Sequence, residues 1–301
     1  MENLAWIAVD WGTSHLRAFA MGAGGQVLAK AQSEDGMGTL SQADFESALL
    51  AQTGPWLGAK PVTVLACGMV GARQGWVEAA YQSVPCKPAE AGLTRAPTQD
   101  PRLNVLILPG LSQASPPDVM RGEETQILGA LAENPDFDGV IALPGTHTKW
   151  AHVSAGEVVS FQTAMTGEIF ALMAEKSVLR HSVGGNELDP AAFDAAVAET
   201  LSRPERLAQS LFGIRAASLL TDQSENTARG RLSGLLIGAE LAATRPYWLG
   251  REIVLIGAPA LSALYARALQ SQGVAANIHD GDAMTLRGLC NAYETLRKAT
   301  T

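Results

Sequence analysis

Five consecutive residues, Asp10-Trp11-Gly12-Thr13-Ser14, follow an apolar run from Leu4 to Val9. Their types suit phosphate chemistry. Glycine has no Cβ, so an anion can approach the backbone at Gly12, while Thr13 and Ser14 offer hydroxyls and amide N–H donors to its oxygens. Asp10 would repel phosphate unless a hard cation lay between them, and Mg²⁺, which prefers oxygen ligands and keeps its waters, fits that place. A β-turn in which Asp10 accepts a local hydrogen bond would use the same residues. Recurrence weighs against that plainer reading, because Gly145-Thr146-His147-Thr148 follows a second apolar run from Val140 to Leu143. Two such turns, one from each half of the chain, would hold the phosphates of one nucleotide between two domains. A third turn, Gly257-Ala258, closes the run Ile253 to Ile256. It either lets adenosine lie flat against backbone or merely lets a strand meet a helix closely. Arg17 and Lys149 are cations near the two phosphate turns, each on a strand whose side chains can point away. His147 would act through its backbone.

These turns need elements to place them. Leu4 to Val9, His15 to Met21 and Gln26 to Lys30 read as three strands with a turn at Gly24-Gly25. A helix is expected over Gln42 to Ala51, opened by Ser41 and Asp44 in a capping-box spacing, and then a strand over Val62 to Cys67. The same order returns later: Val140 to Leu143, Lys149 to Val153, a turn at Ala155-Gly156, Val158 to Ala164, and helix-forming sequence from Glu168. From phosphate-turn glycine to hairpin glycine the distance is 13 residues in the first copy (Gly12 to Gly25) and 11 in the second (Gly145 to Gly156). The reading is therefore α/β, with two related domains, each a mixed sheet flanked by helices, around a cleft. Extra helices are expected between Ala191 and Ser218, and the chain closes with a helix to Gln270, a strand Val274 to Ile278 and a helix Ala283 to Arg297. Leu286, Leu289, Cys290, Tyr293 and Leu296 give that last helix an apolar face for core packing. Glu123 to Leu131 and Ser233 to Ala242 read as helices with small residues on one face, suited equally to hinge motion and to tight packing. Ala96 to Pro101 and Ser115 to Pro117 read as surface loops.

Composition sets outer bounds. A chain of 301 residues with 47% apolar and 17% charged residues can bury two cores, and no apolar stretch reaches the length of a bilayer span. The net charge of −8 offers no basic face for nucleic acid or an anionic membrane. An anionic small substrate would need local positive charge. Cys67, Cys86 and Cys290 are odd in number and form no metal-binding spacing, so neither a disulfide framework nor a zinc site is expected. The start of the chain, with Glu2 before an apolar run, lacks the pattern of a secretory signal, and a cytoplasmic monomer or homodimer is expected.

The order of parts resembles the superfamily of sugar kinases, acetate kinase and actin. Within it the chain is similar to the 2-dehydro-3-deoxygalactonokinase family in IAVDWGTSHLRAF (7–19), GMVGARQGWVEAAY (68–81), DVMRGEETQILGAL (118–131), LPGTHTKW (143–150) and FQTAMTGEIFALM (161–173). The resemblance implies two ribonuclease H-like, actin-like ATPase domains: residues 1–122 on the substrate side and 123–301 on the nucleotide side, with the last helix free to pack back on the first lobe. It implies transfer of phosphate from ATP, with Mg²⁺, to the terminal hydroxyl of a 2-oxo sugar acid. Carried over by position, Asp10, Gly12, Thr13 and Ser14 form the first phosphate turn and Gly145, Thr146, His147 and Thr148 the second, with Gly257 and Ala258 at the adenosine. Glu123 or Glu124 supplies the base. Arg73 or Arg121 meets the substrate carboxylate, with Gln74 and Trp76 at the sugar, and Arg121 has the transferring phosphoryl group as an alternative. Pro144 stands where many relatives have an acid, so Asp10 alone would hold the metal. A kinase for another sugar or sugar acid such as 2-keto-3-deoxygluconate, and a non-catalytic ATP-binding sensor, are the competing functions.

Overall fold

The computed structural model describes residues 1–89 and 92–300. It divides into two compact units, one made of residues 1–137, 153–160 and 281–301, the other of 138–152 and 161–280. The boundary expected at 122/123 thus falls after Phe137, and the chain crosses between units more than once.

The first unit opens with strands β1 (Trp6–Trp11), β2 (Leu16–Met21) and β3 (Val27–Ser33), then helix α1 (Phe45–Thr53) and strand β4 (Val62–Gly68). Short strands follow: β5 (Tyr81–Ser83), β6 (Thr94–Arg95), β7 (Leu103–Ile107), β8 (Gly110–Ala114) and β9 (Pro117–Met120), and then helix α2 (Glu123–Glu133). The main sheet runs β3-β2-β1-β4-β7-β6, with β1 antiparallel to β2 and parallel to β4, and β4 parallel to β7. Burial on both faces explains why β1 is apolar from Trp6 to Val9 and not alternating.

The second unit repeats that order. Its strands are β10 (Gly139–Leu143), β11 (Thr148–Ser154) and β12 (Glu157–Ala164), of which residues 153–160 count with the first unit, followed by helices α3 (Thr166–Glu175), α4 (Pro190–Ser202), α5 (Leu207–Leu220), α6 (Glu225–Ala243) and α7 (Arg245–Trp248). Strand β13 (Ile253–Gly257), helix α8 (Pro259–Gln270) and strand β14 (Ala276–Asp280) complete it. The sheet order β12-β11-β10-β13-β14, with β10, β13 and β14 parallel, copies the order of the first five strands of the other sheet. Ala155 (φ 53°) and Gly156 (φ 75°) make the β11–β12 turn, the pair of positive φ angles that a two-residue hairpin turn demands. The final helix α9 (Gly281–Thr300) belongs to the first unit, where Leu289 and Ala292 join Trp6, Ala8 and Cys67 in one apolar cluster.

Several boundaries differ from expectation for local reasons. Helix α1 begins at Phe45 because Ser41 and Asp44 spend their hydrogen bonds on a preceding turn: the Asp44 carboxylate accepts from the Ser41 N–H and hydroxyl. Helix α6 starts eight residues before Ser233, capped by the Ser224 side chain, which accepts from Thr227 N–H. Ala96, expected on a surface loop, is buried in the first core. The small-residue faces resolve as packing. A Cβ placed on Gly129 would come 2.0 Å from the Met284 carbonyl oxygen of α9, and one on Gly234 2.4 Å from the Phe193 carbonyl oxygen of α4. Among the described residues, no helix is long and apolar enough to cross a membrane.

Candidate active site

In the first unit three chain segments converge at the carboxyl ends of β1 and β4, the side of a parallel sheet where ligands are usually held. Parallel pairing sets Asp10 beside Cys67 and Trp11 beside Gly68. Gly68 has φ of 90° and Gly122, just before α2, has φ of 108°, a region that favours glycine. A Cβ on Gly68 would sit 2.8 Å from the Trp11 carbonyl oxygen, and one on Gly122 3.4 Å from the Gly68 Cα. Three backbones thus approach closely, which places the first phosphate turn and the start of α2 side by side. The turn is braced from behind. Gly12 N–H donates to the His15 carbonyl, and the Gly12 and Thr13 carbonyls accept from Met37 and Gly38. Thr13 and Ser14 stay exposed, free to face an anion.

Asp10 has only 16% of its side chain exposed, and Arg17 donates to its Oδ2 at 2.6 Å. Arg17 also pairs with Asp282 at the start of α9. The strand cation therefore points at the turn and not away from it, and Asp282 is a participant that sequence reading missed. Burial pushes the Asp10 carboxyl up, against the pull of Arg17. Its Oδ1 is left with a 4.0 Å contact to the Cys67 thiol. One hard oxygen in that state suits Mg²⁺ carried in with phosphates, and among the described residues no group of three or more His, Cys, Asp or Glu forms a protein cage for a metal.

The paired acids at the start of α2 prove different. Glu124 is fully buried, and its Oε2 accepts from Gly122 N–H at 2.7 Å while its Oε1 accepts from the Thr125 hydroxyl at 3.1 Å. Burial first, and then the neighbouring charge of Glu123, raises its pKa to about 8. Glu123 is only half-buried, and its Oε2 accepts from Arg121 N–H at 3.0 Å.

Of the cations expected at the substrate, Arg73 has 80% of its side chain exposed and pairs with Glu78 at 3.4 Å. Arg121 is just 8% exposed. Its Nη2 donates to the Ala79 carbonyl at 2.7 Å, and the guanidinium lies 4.2 Å from the centroid of the Tyr81 ring. Nη1 faces Gly71, where a Cβ would come within 2.9 Å, and neither Nη1 nor Nε has a hydrogen-bond partner among the described residues. Enclosed like this, Arg121 ties the loop 69–80 to the start of α2. Trp76 is also misplaced by the sequence reading: it is buried among Trp11 and Phe45, each 6.2 Å away between ring centroids. Gln74 remains exposed beside Arg73.

In the second unit a pocket of about 500 Å³ joins the second phosphate turn to the Gly257-Ala258 turn. Gly145, Thr146 and Ala258 line it, along with residues not picked out from sequence: Phe170, Asn186, Arg229, Ser233, Leu236 and Leu261. The Arg229 guanidinium lies 5.0 Å from the centroid of the Phe170 ring. Arg229, Ser233 and Leu236 share one face of α6 at helical spacing, a pattern visible only once the helix is started at Glu225. Glycine is required where the turns meet. A Cβ on Gly257 would sit 2.9 Å from the Pro144 carbonyl oxygen, and one on Gly167 2.3 Å from that of Gly145. Two side chains expected in the turn are committed elsewhere. The buried Thr148 hydroxyl is 3.0 Å from Tyr265 Oη, and exposed His147 pairs with Glu168 at 2.5 Å. Lys149 is buried too, donating to the Thr163 hydroxyl at 2.9 Å.

A family model described as 2-keto-3-deoxy-galactonokinase matches residues 10–292. A Rhizobium meliloti (strain 1021) protein whose curated name is Probable 2-dehydro-3-deoxygalactonokinase is 38% identical over 297 residues, 97% of each chain. The Escherichia coli (strain K12) 2-dehydro-3-deoxygalactonokinase is 36% identical over 287 residues, 94% of this chain and 96% of that one. A crystal structure of a Sinorhizobium meliloti protein described by the same activity is 37% identical, with a TM-score of 0.91 over 97% of this chain and 99% of that one. Component A of (R)-2-hydroxyglutaryl-CoA dehydratase from Acidaminococcus fermentans, 15% identical, covers 98% of this chain and 99% of its own with a TM-score of 0.52, a likeness of fold alone.

Proposed function

The chain belongs to the 2-keto-3-deoxy-galactonokinase family and is an ATP-dependent sugar-acid kinase on the actin-like ATPase fold; we propose how its residues divide the transfer of phosphate to the 6-hydroxyl of 2-dehydro-3-deoxy-D-galactonate. The carrying observation is the convergence of Asp10, Gly68 and the start of α2 in the first unit, which sets a phosphate turn beside two glutamates.

Glu123 is the base. It is the acid of the pair that water and substrate can reach, and a base must come within hydrogen-bond distance of the hydroxyl it deprotonates. Glu124, enclosed and with its pKa near 8, holds Gly122 and so fixes the direction of the helix start. Arg73 takes the substrate carboxylate, because its exposed guanidinium can leave a weak, solvated pair with Glu78 for a planar two-oxygen contact. Exposed Gln74, next to Arg73, contacts the sugar. Arg121 acts through the loop that carries Arg73.

The second unit binds the nucleotide. Adenosine occupies the apolar pocket at Gly257-Ala258, and the backbone from Gly145 to Thr148 takes phosphate oxygens. The residues present fit Mg²⁺: Asp10 Oδ1 would be its protein ligand, and the ion would supply charge neutralisation at the phosphates. Thr13 and Ser14 donate to phosphate oxygens from the first turn. A cytoplasmic location belongs to the same proposal.

The test is ADP release with ATP and Mg²⁺ across a panel of sugar acids and neutral sugars. Release that requires 2-dehydro-3-deoxygalactonate is expected. Equal release with a neutral hexose, or with no acceptor, would sink the assignment.

A further inference from the structure

Behind the second phosphate turn lies a polar cluster that nucleotide binding does not directly use. Glu240, on α6, is 5% exposed. Trp150 Nε1 donates to its Oε1 at 2.7 Å, the Tyr265 hydroxyl donates to its Oε2 at 2.7 Å, and the Thr166 side chain also hydrogen-bonds the carboxyl. Tyr265 Oη in turn lies 3.0 Å from Thr148 Oγ1. Thr148, Trp150 and Tyr265 are all buried.

Each member belongs to an element that lines the pocket or, for β11, directly follows a segment that does. Thr148 is the last residue of the second phosphate turn and the first of β11, and Trp150 is two residues further along that strand. Thr166 opens α3, next to Gly167, which packs on the Gly145 carbonyl. Tyr265 lies one turn beyond Leu261 on α8, and Glu240 one turn beyond Leu236 on α6, both of these leucines lining the pocket. A buried acid is a poor choice for stability alone, since apolar packing of the same volume serves as well or better. What a carboxylate with several donors adds is a fixed geometry among the elements that supply them.

We propose that Glu240 is a positioning residue for the nucleotide, one that locks β11, α3, α6 and α8 in the arrangement that shapes the pocket. Nucleotide affinity depends on it, whereas acceptor binding does not. This rests on the reading that ATP occupies the second unit's pocket.

The experiment measures ADP affinity by calorimetry, and KM for ATP and for the acceptor acid, well below the melting temperature of every variant. Glu240→Leu orphans the Trp150 and Tyr265 donors and should weaken ADP binding and raise the ATP KM about tenfold, as displacements of about 1 Å at a binding element can. Its acceptor KM should stay within about twofold of wild type. Glu240→Gln should restore most of the affinity, because the amide oxygen accepts from Trp150 and the amide nitrogen donates to Tyr265, whose hydroxyl turns to Thr148. Leu201→Ala, a cavity in the same core, should lower the melting temperature and leave ADP affinity alone. Leu261→Trp fills the pocket and reports on the underlying reading. If it abolishes ADP binding while Glu240→Leu binds like wild type, the inference about Glu240 fails and the pocket assignment stands. If Leu261→Trp binds ADP normally, the pocket assignment fails and takes the inference with it. Should Glu240→Leu not fold, Tyr265→Phe carries the comparison, and an ADP affinity equal to wild type overturns the proposal.

Discussion

Glu123 and Glu124 are the same side chain one residue apart, yet helix geometry turns them about 100° from each other and gives them different chemistry. One meets solvent and the other is fully buried. Replacing Glu123 by Gln should lower kcat by about 10²–10⁴, the range for losing a general base, with little change in either KM. Replacing Glu124 by Gln should act on stability instead. Its folded pKa of about 8 lies above the ordinary carboxyl value of 4.5, so between those limits the folded chain keeps a proton that the unfolded chain releases. Wild-type stability should then fall by a few kcal/mol as pH rises from about 4.5 to about 8. Urea midpoints across that window should show the decline, and a clearly shallower one for Glu124→Gln; an equal slope would contradict the account. Arg73→Ala should raise the acceptor KM at least tenfold, the loss expected for a charge-assisted contact, and leave the ATP KM unchanged. The sequence pointed to these residue types but could not rank them. Which of two arginines is enclosed depends on Tyr81, Ala79 and Gly71 closing around Arg121, contacts that no spacing rule reveals. Trp76 was misread for the same reason, since an aromatic beside glycines in a loop looks like a sugar platform until Trp11 and Phe45 are seen to surround it.

At the scale of elements, the packing of α2 on α9 decides where the base stands. Both helices meet through glycine: a Cβ on Gly129 or on Gly288 would come 2.0 Å from a backbone carbonyl oxygen of the other helix. Neither backbone can yield that much in place. Gly129→Ala and Gly288→Ala should each cost about 1–3 kcal/mol or more, as overpacking does, and thermal melts should register it. Melts identical to wild type would mean that the two helices do not approach this closely. Sequence periodicity placed both helices within a few residues, because an apolar stripe at helical spacing is a local property. It left the small-residue faces open between hinge and packing. The partner of a glycine face lies far away in the chain, here Met284 for Gly129 and Phe193 for Gly234, so only the tertiary structure decides between those readings.

The whole molecule repeats one plan, β3-β2-β1-β4-β7 in the first sheet and β12-β11-β10-β13-β14 in the second. That duplication was legible in the recurrence of an apolar run, a Gly-Thr turn and a glycine hairpin, since each part is fixed by residues close in sequence. The division into units was not. α9 counts with the first unit, as the resemblance allowed, but so do residues 123–137 and 153–160, and membership of that kind is set by contacts across the chain. The central claim concerns what the assembled molecule transfers and to where. Its most direct test is proton-coupled phosphorus NMR of the product made from ATP and 2-dehydro-3-deoxygalactonate. A phosphate on the terminal carbon couples to two diastereotopic methylene protons, and the account predicts an ester signal split by two protons, a double doublet or apparent triplet, that grows in step with ADP. A doublet from a secondary ester, or only the singlet of inorganic phosphate, would contradict it.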